Sequence, residues 1–477
     1  MSSDHRLRVI WFFGGPSATA IMLAVGPLGM MSDVAWRTAA LGVWMGIWWM
    51  TEAVPIAATA LLPLVLLPLL GVANMNAAAA PYANPVIFLF FGGFVLAAAF
   101  ERSGLHRRMA LALLARVGTK PDRIIAGFMI VGGFLSMWVS NTAAVLMLLP
   151  LAKSLLRPAA SGADAAPATA FEKALLLGIA YAATIGGFGT LIGTPPNALL
   201  AGFLAQTHGI RVSFLDYMLI GVPIVVVGLP VTWFILTRVV FRVRDAAEVV
   251  APGAIASQRA ALGSPSSSEW FVGVVAVCTA MAWITQPWLA RAVPGISEAG
   301  ISVACAVALL VVPMDRTGTR ALSWDDAERI PWGVLVLFGG GLSLAAAIQD
   351  GGLAGWIGDS VGTLGAVPPF VLVLVVITVL TLLTEFTSNT ATAATFLPIA
   401  SSLAVGAGMN PLVLVVAAGL AASNGFMMPV GTPPNAIVFA GHRLTVPDMA
   451  RAGALVDVFF IALITAVSYL LVAAVLG

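Results

Sequence analysis

Apolar residues come in long blocks along this chain, and those blocks are its main structural signal. Blocks at Trp11 to Leu28, Ala57 to Val72, Pro85 to Phe100, Met218 to Leu236, Trp270 to Trp283, Ile301 to Pro313, Phe370 to Leu383 and Val456 to Leu476 approach the ~20 residues a helix needs to cross a bilayer. Several are short or interrupted, so the pattern predicts about eleven full spans with partial ones among them. The 48 glycines and 29 prolines imply many breaks, which a bilayer tolerates only where freed backbone groups face protein or a water-filled cavity. One long polar stretch separates two halves. It runs through Arg238, Arg242, Arg244, Asp245, Glu248 and Arg259 into a Gly-Ser-Pro-Ser-Ser-Ser segment. The expected division is an N-terminal transmembrane helix over 1–35, a first repeat over 36–240, a cytoplasmic linker over 241–268 and a second repeat over 269–477.

The repeat itself is written in polar residues. Ser140-Asn141-Thr142 is followed by Gly193-Thr194-Pro195-Pro196-Asn197-Ala198, and Ser388-Asn389-Thr390 by Gly431-Thr432-Pro433-Pro434-Asn435-Ala436. Phe91-Gly92-Gly93 and Phe338-Gly339-Gly340 precede the two cassettes in the same order. Matching interruptions in two halves point to a binding site at the interface of internal repeats in a secondary transporter. An odd number of crossings per half would invert the second half and bring the cassettes together near the midplane.

Composition agrees with this reading. Of 477 residues 60% are hydrophobic and only 9% charged, against roughly 25% charged in soluble domains. The fold class predicted is an all-α polytopic membrane protein of inverted repeats. A net charge of +2 gives no support to a nucleic-acid partner, and loop charges serve topology. Arg6 and Arg8 place the N-terminus in the cytoplasm, with the central linker on the same side. The first apolar block lacks a cleavage pattern and reads as a transmembrane helix. The chain suits a cell inner (plasma) membrane. Cys278 and Cys305 lie in apolar stretches and read as buried structural thiols, while His5, His106, His208 and His442 lie in or near polar segments and give no metal cluster. Trp48, Trp49, Trp283 and Trp288 read as interface anchors or packing residues.

The chemistry follows from the breaks. Short apolar stretches on either side of each Ser-Asn-Thr suit a re-entrant hairpin with the tripeptide at its tip. There one half-helix ends in exposed carbonyls and another begins in exposed N–H groups, so one tip serves a cation and an anion side by side. Side-chain oxygens of Ser, Asn and Thr add further ligands for Na+. The paired prolines deprive the preceding turn of N–H donors, Gly193 and Gly431 relax the backbone, and Asn197 and Asn435 are expected to cap the helix that resumes. No Lys, Arg or His lies in either cassette. An anion would be held by hydroxyls, amides and half-helix N-termini, with bound cations balancing its charge. Two pseudo-symmetric tips suit a ligand with two negative ends, such as a dicarboxylate.

With these motifs, and with the segments Trp48-Trp49-Met50-Thr51-Glu52-Ala53-Val54-Pro55, Ser136-Met137-Trp138-Val139-Ser140-Asn141-Thr142 and Met428-Pro429-Val430-Gly431-Thr432-Pro433-Pro434-Asn435, the chain resembles the divalent anion sodium symporter family. The resemblance covers nearly the whole chain. It implies a homodimer, each protomer having a scaffold domain and an elevator-type transport domain, and two or more Na+ sites. Ser136, Ser140, Asn141 and the backbone near Gly193 would form the first sodium site. Thr384, Ser388, Asn389 and the backbone near Gly431 would form the second. Substrate carboxylates would meet Asn141, Thr142, Asn389 and Thr390, with Thr194, Pro195, Thr432 and Pro433 beside them.

The leading expectation is Na+-driven import of a C4-dicarboxylate such as succinate, malate or fumarate. A dicarboxylate exchanger of the same fold is the alternative, followed by an Na+/H+ antiporter in which Glu385 carries protons. An enzyme is not expected, since HExxH, GxSxG and paired-aspartate signatures are lacking. Glu52 and Glu385, carboxylates in apolar sequence, are either proton carriers or acceptors for neighbouring helix ends.

Overall fold

The computed structural model describes residues 3–116, 120–155, 168–243, 254–314, 318–362 and 368–476. Among them regular structure is helical, apart from an isolated antiparallel bridge between Pro313 and Arg320. In chain order the main helices are α1 (Ser3–Val25), α2 (Asp33–Thr51), α3 (Pro85–Ser103), α4 (Pro121–Ser136), α5 (Asn141–Leu155), α6 (Ala170–Gly187), α7 (Pro195–His208) and α8 (Phe214–Phe234). The second half follows with α9 (Ser267–Ala292), α10 (Glu298–Val311), α11 (Trp332–Asp350), α12 (Pro369–Thr384), α13 (Asn389–Gly406), α14 (Pro411–Ala421), α15 (Pro433–Phe439) and α16 (Val446–Val467). Among the described residues six helical stretches are long and apolar enough to cross a membrane, and five more apolar helices have 10–17 residues. Of the expected linker, 244–253 lie outside the described residues; its remainder carries the short helix Ala254–Ala261.

Local sequence sets the helix ends. Capping boxes Ser213/Asp216, Ser266/Glu269 and Thr445/Asp448 start α8, α9 and α16, each side chain satisfying a donor that the first turn leaves orphaned. Proline at the first helical position starts α3, α4, α7, α12, α14 and α15, where its missing N–H costs nothing. The repeat is visible in matching parts. α3 and α11 each have 19 residues, α4 and α12 each 16, and α8 and α16 both run into π-helical turns at Ile235–Val240 and Ser468–Val472.

The two halves are interleaved. α15 packs on α5 and α6 of the first half, and α7 packs on α13 and α14 of the second. Small residues allow this closeness: Gly92 of the first half lies against the Ser302 backbone of the second, and Gly340 of the second against the Ala60 backbone of the first, as in membrane helices that pack through glycine. Polar ties cross between halves as well. Arg443 grips Glu172 with Nε and Nη2 each at 2.7 Å, and Lys173 Nζ reaches Asp448 at 2.9 Å. Trp49 and Trp283 are fully buried with their indole N–H groups bonded to the Ile56 carbonyl and to Ser302, while Trp288 is exposed. Cys305 is buried, but Cys278 is exposed, contrary to expectation. It sits on α9, whose apolar surface is mostly outward-facing; an apolar run can face lipid as readily as core.

Candidate functional site

The interleaving brings both cassettes to one cavity of about 690 Å³. Ser140, Asn141, Thr142, Gly193, Thr194 and Pro195 line it from the first half, and Ser388, Asn389, Thr390, Gly431, Thr432 and Pro433 from the second. Apolar cover comes from Trp138, Val139, Ile192, Phe386 and Val430, and among the described residues the one charged side chain in the lining is Glu52. Glu52 ends α2 in a left-handed conformation, with φ +47°. Ser136 and Thr384 do not line the cavity; both are fully buried behind it.

Each Ser-Asn-Thr lies at a break between two helices. α4 ends at Ser136 and α5 begins at Asn141; α12 ends at Thr384 and α13 begins at Asn389. Ser140 caps α5 by accepting the Ala143 N–H at 3.1 Å. Ser388 occupies the N-cap of α13 without a side-chain bond.

Behind each tip lies a cluster of oxygens. The Asn141 side-chain amide is 2.5 Å from Ser136 Oγ and 3.2 Å from the carbonyls of Ala183 and Gly193. With its oxygen turned inward it completes a group of four oxygens, the environment of a small hard cation; with its nitrogen inward its two N–H groups have these three oxygens as acceptors. In the second half Thr384 Oγ1 lies 2.7 Å from both Asn389 Oδ1 and the Ala422 carbonyl. The Ala183 and Ala422 carbonyls have no signal in the sequence, because every residue carries a carbonyl.

The Gly-Thr-Pro-Pro-Asn breaks hold these clusters from the other side. Thr194 and Thr432 are the N-caps of α7 and α15, so Asn197 and Asn435 stand at the third helical position and do not cap. With prolines in the first two positions, the Asn side chains reach backward instead. Asn197 Nδ2 donates to the carbonyls of Gly187 and Thr190, each at 2.8 Å, and Asn435 Nδ2 to those of Gly425 at 3.5 Å and Met428 at 3.0 Å. The bonds close equivalent loops in the two halves.

Glu385 serves the backbone as an acceptor. Its carboxylate receives the backbone N–H groups of Phe426, Met427 and Met428 at 2.7, 2.8 and 2.7 Å, bracing the loop that leads to Gly431. Among the described residues no group of histidine, cysteine and carboxylate side chains is arranged to hold a metal ion.

Comparison with known proteins finds matches over nearly the whole chain. A family described as the sodium:sulfate symporter transmembrane region matches residues 17–475. The sodium-dependent dicarboxylate transporter SdcS of Staphylococcus aureus strain USA300 is 39% identical over 96% of this chain and 92% of its own, and that of strain MSSA476 is 40% identical over the same shares. Among solved structures, the YdaH transporter of Alcanivorax borkumensis aligns with a TM-score of 0.55 over 91% of this chain and 98% of its own, at 15% identity, a likeness of fold alone.

Proposed function

From the premise that the chain belongs to the sodium:sulfate symporter family and is a sodium-coupled membrane transporter, we propose that it imports C4-dicarboxylates such as succinate, malate and fumarate together with Na+. The observation that carries this reading is the single cavity into which both Ser-Asn-Thr tips project. Two chemically equivalent tips facing each other match a ligand with a carboxylate at each end. The S. aureus relatives, named for dicarboxylates, favour that class over sulfate.

In the proposed assignment Ser136, Asn141 and the carbonyls of Ala183 and Gly193 hold one Na+, with Ser140 at the tip. Thr384, Asn389, the Ala422 carbonyl and the backbone at Gly431 hold a second, with Ser388 beside them. Asn141, Thr142, Asn389 and Thr390 then donate to the substrate carboxylates, and Thr194, Pro195, Thr432 and Pro433 shape the walls. Because the lining holds no lysine, arginine or histidine, the bound sodium ions supply the positive charge that a dianion requires. That dependence is the coupling: substrate affinity is low until Na+ is in place.

Alternating access would follow from movement of the cassette helices as a body against a scaffold, in an elevator-type motion of each protomer of a homodimer. The basic residues near the N-terminus support a cytoplasmic N-terminus in the plasma membrane. Uptake of radiolabelled succinate into proteoliposomes tests the reading. An inward Na+ gradient should drive accumulation; uptake that proceeds only against internal dicarboxylate without Na+ would replace symport with exchange, and no succinate uptake in either condition would overturn the substrate assignment.

A further inference from the structure

Away from the transport cavity, one connection differs between the halves. In each half an apolar helix, Leu62–Leu69 or α10, leads to a five-residue helix capped by a polar side chain: Asn74 caps Met75–Ala79 and Ser323 caps Trp324–Glu328. In the first half Leu70-Gly71-Val72-Ala73 makes the connection without a charge. In the second, α10 ends at Val311 and the chain runs on to Leu322, pairing Pro313 with Arg320 in the antiparallel bridge. The repeat does not require this longer connection.

It walls a second cavity, of about 640 Å³. Among the described residues the charged side chains of its lining are Arg102, from the end of α3, and Arg320; no carboxylate lines it. Arg102 gives one N–H to Asp326, one of the five donors a guanidinium has. Arg320 is exposed and joins no ion pair among the described residues. Val307, Leu310 and Val311 of α10 supply an apolar wall, and Trp324, 58% exposed, completes it. That wall continues outward, because Ala304, Val307 and Val311 stand at i, i+3 and i+7 on one exposed face of α10. The cavity lies at a membrane boundary. Arg108, in the short helix Leu105–Leu114 that follows α3, holds the Leu262 and Gly263 carbonyls, so this end of α3 is on the linker's side, the cytoplasmic side by its basic residues. A basic mouth, an interfacial tryptophan and an apolar stripe match in order the phosphate, glycerol and acyl chain of a phospholipid.

We propose that this cavity binds the headgroup of an anionic phospholipid of the cytoplasmic leaflet, with Arg102 and Arg320 on its phosphate and the exposed face of α10 along its acyl chain. A phosphate alone satisfies the two arginines; the apolar stripe beside them selects the lipid. A zwitterionic headgroup is disfavoured, since no carboxylate of the lining receives its cation. The bound lipid ties the end of α3 to the segment that leads into α11, and both helices wall the transport cavity, α3 through Phe94 and Ala97 and α11 through Val334. The link to transport rests on the symport reading; the lipid site itself does not.

Native mass spectrometry of the purified protein, titrated in detergent with dioleoylphosphatidylglycerol, dioleoylphosphatidylcholine or soluble glycerol phosphate, tests the site. The native protein should bind the first phosphatidylglycerol several-fold more tightly than phosphatidylcholine. Arg320→Ala should weaken that binding about fivefold, the weight of one basic residue at an anionic membrane surface, and leave phosphatidylcholine unchanged, while Arg320→Lys keeps most of it. An undiminished preference in Arg320→Ala would overturn the proposal. Glycerol phosphate bound as tightly as the lipid would make this a phosphate site and overturn the lipid assignment. Phosphatidylglycerol held by single chains but absent from an oligomer would mean that a second copy covers the cavity, which overturns it too. If Arg320→Ala does not fold, Arg320→Gln takes its place; should neither fold, the native protein decides, a several-fold preference for phosphatidylglycerol supporting the site and equal affinities overturning it. Binding is read without transport, so a failure of succinate uptake would count against the symport reading and leave this result standing.

Discussion

The segments that precede the two Gly-Thr-Pro-Pro-Asn breaks differ in path and in fastening: α6 stays helical to Gly187, whereas α14 ends at Ala421, before the matching Gly425. In the first half the loop after α6 is tied by one hydroxyl, Thr190 Oγ1 donating to the Met137 carbonyl at 2.5 Å. In the second the equivalent loop hangs by three backbone N–H groups from the Glu385 carboxylate. What both keep is the backward reach of Asn197 and Asn435 and the helix break under each Ser-Asn-Thr. An internal repeat thus separates what the backbone geometry demands from what each half is free to vary.

Mutations should follow that division. The largest effect is expected at Glu385→Ala, which strands three donors in a buried place; at 1–3 kcal/mol for each unsatisfied group, the loss is about 3 kcal/mol or more in chemical denaturation. Thr190→Val, breaking a single bond in the other half, should cost about 1 kcal/mol. Equal losses would mean that the two fastenings are equivalent after all.

A subtler contrast lies at the matched glycines. A methyl group on Gly187 would sit 3.0 Å from Asn141 Oδ1, whereas one on Gly425 would meet Thr384 Cγ2 at an ordinary 3.4 Å. Gly187→Ala should therefore raise the Na+ concentration for half-maximal uptake several-fold, and Gly425→Ala should change it little. The reverse order would separate Asn141 from the first cation cluster. The smallest contrast concerns caps. Thr432 accepts the Asn435 N–H at 3.3 Å while Thr194 makes no side-chain cap bond, so Thr432→Ala should lower stability by about 0.5–1 kcal/mol and Thr194→Ala by less.

Much of this site is legible in the amino-acid sequence, because its makers are side chains that stand out against apolar surroundings. Asn141 and Asn389 show themselves as repeats, and the helix breaks follow from Pro195-Pro196 and Pro433-Pro434. The carbonyls of Ala183 and Ala422 are not legible, since their contribution depends on where the backbone goes. The side chains of Asn197 and Asn435 suit a cap, but the two prolines leave Thr194 and Thr432 outside the helix and put the asparagines inside its first turn. Cys278 escapes a sequence reading because apolar neighbours do not distinguish lipid from core. The interleaving of halves depends on small residues such as Gly92 and Gly340, whose partners Ser302 and Ala60 are distant in sequence.

The central claim is that both tips serve one substrate together. Radiolabelled succinate uptake under an inward Na+ gradient, compared among the native protein, Asn141→Ala and Asn389→Ala at equal amounts of folded protein, tests it most directly. Loss of uptake in each single variant is the predicted result. Unchanged uptake in both would contradict a site built from the two halves.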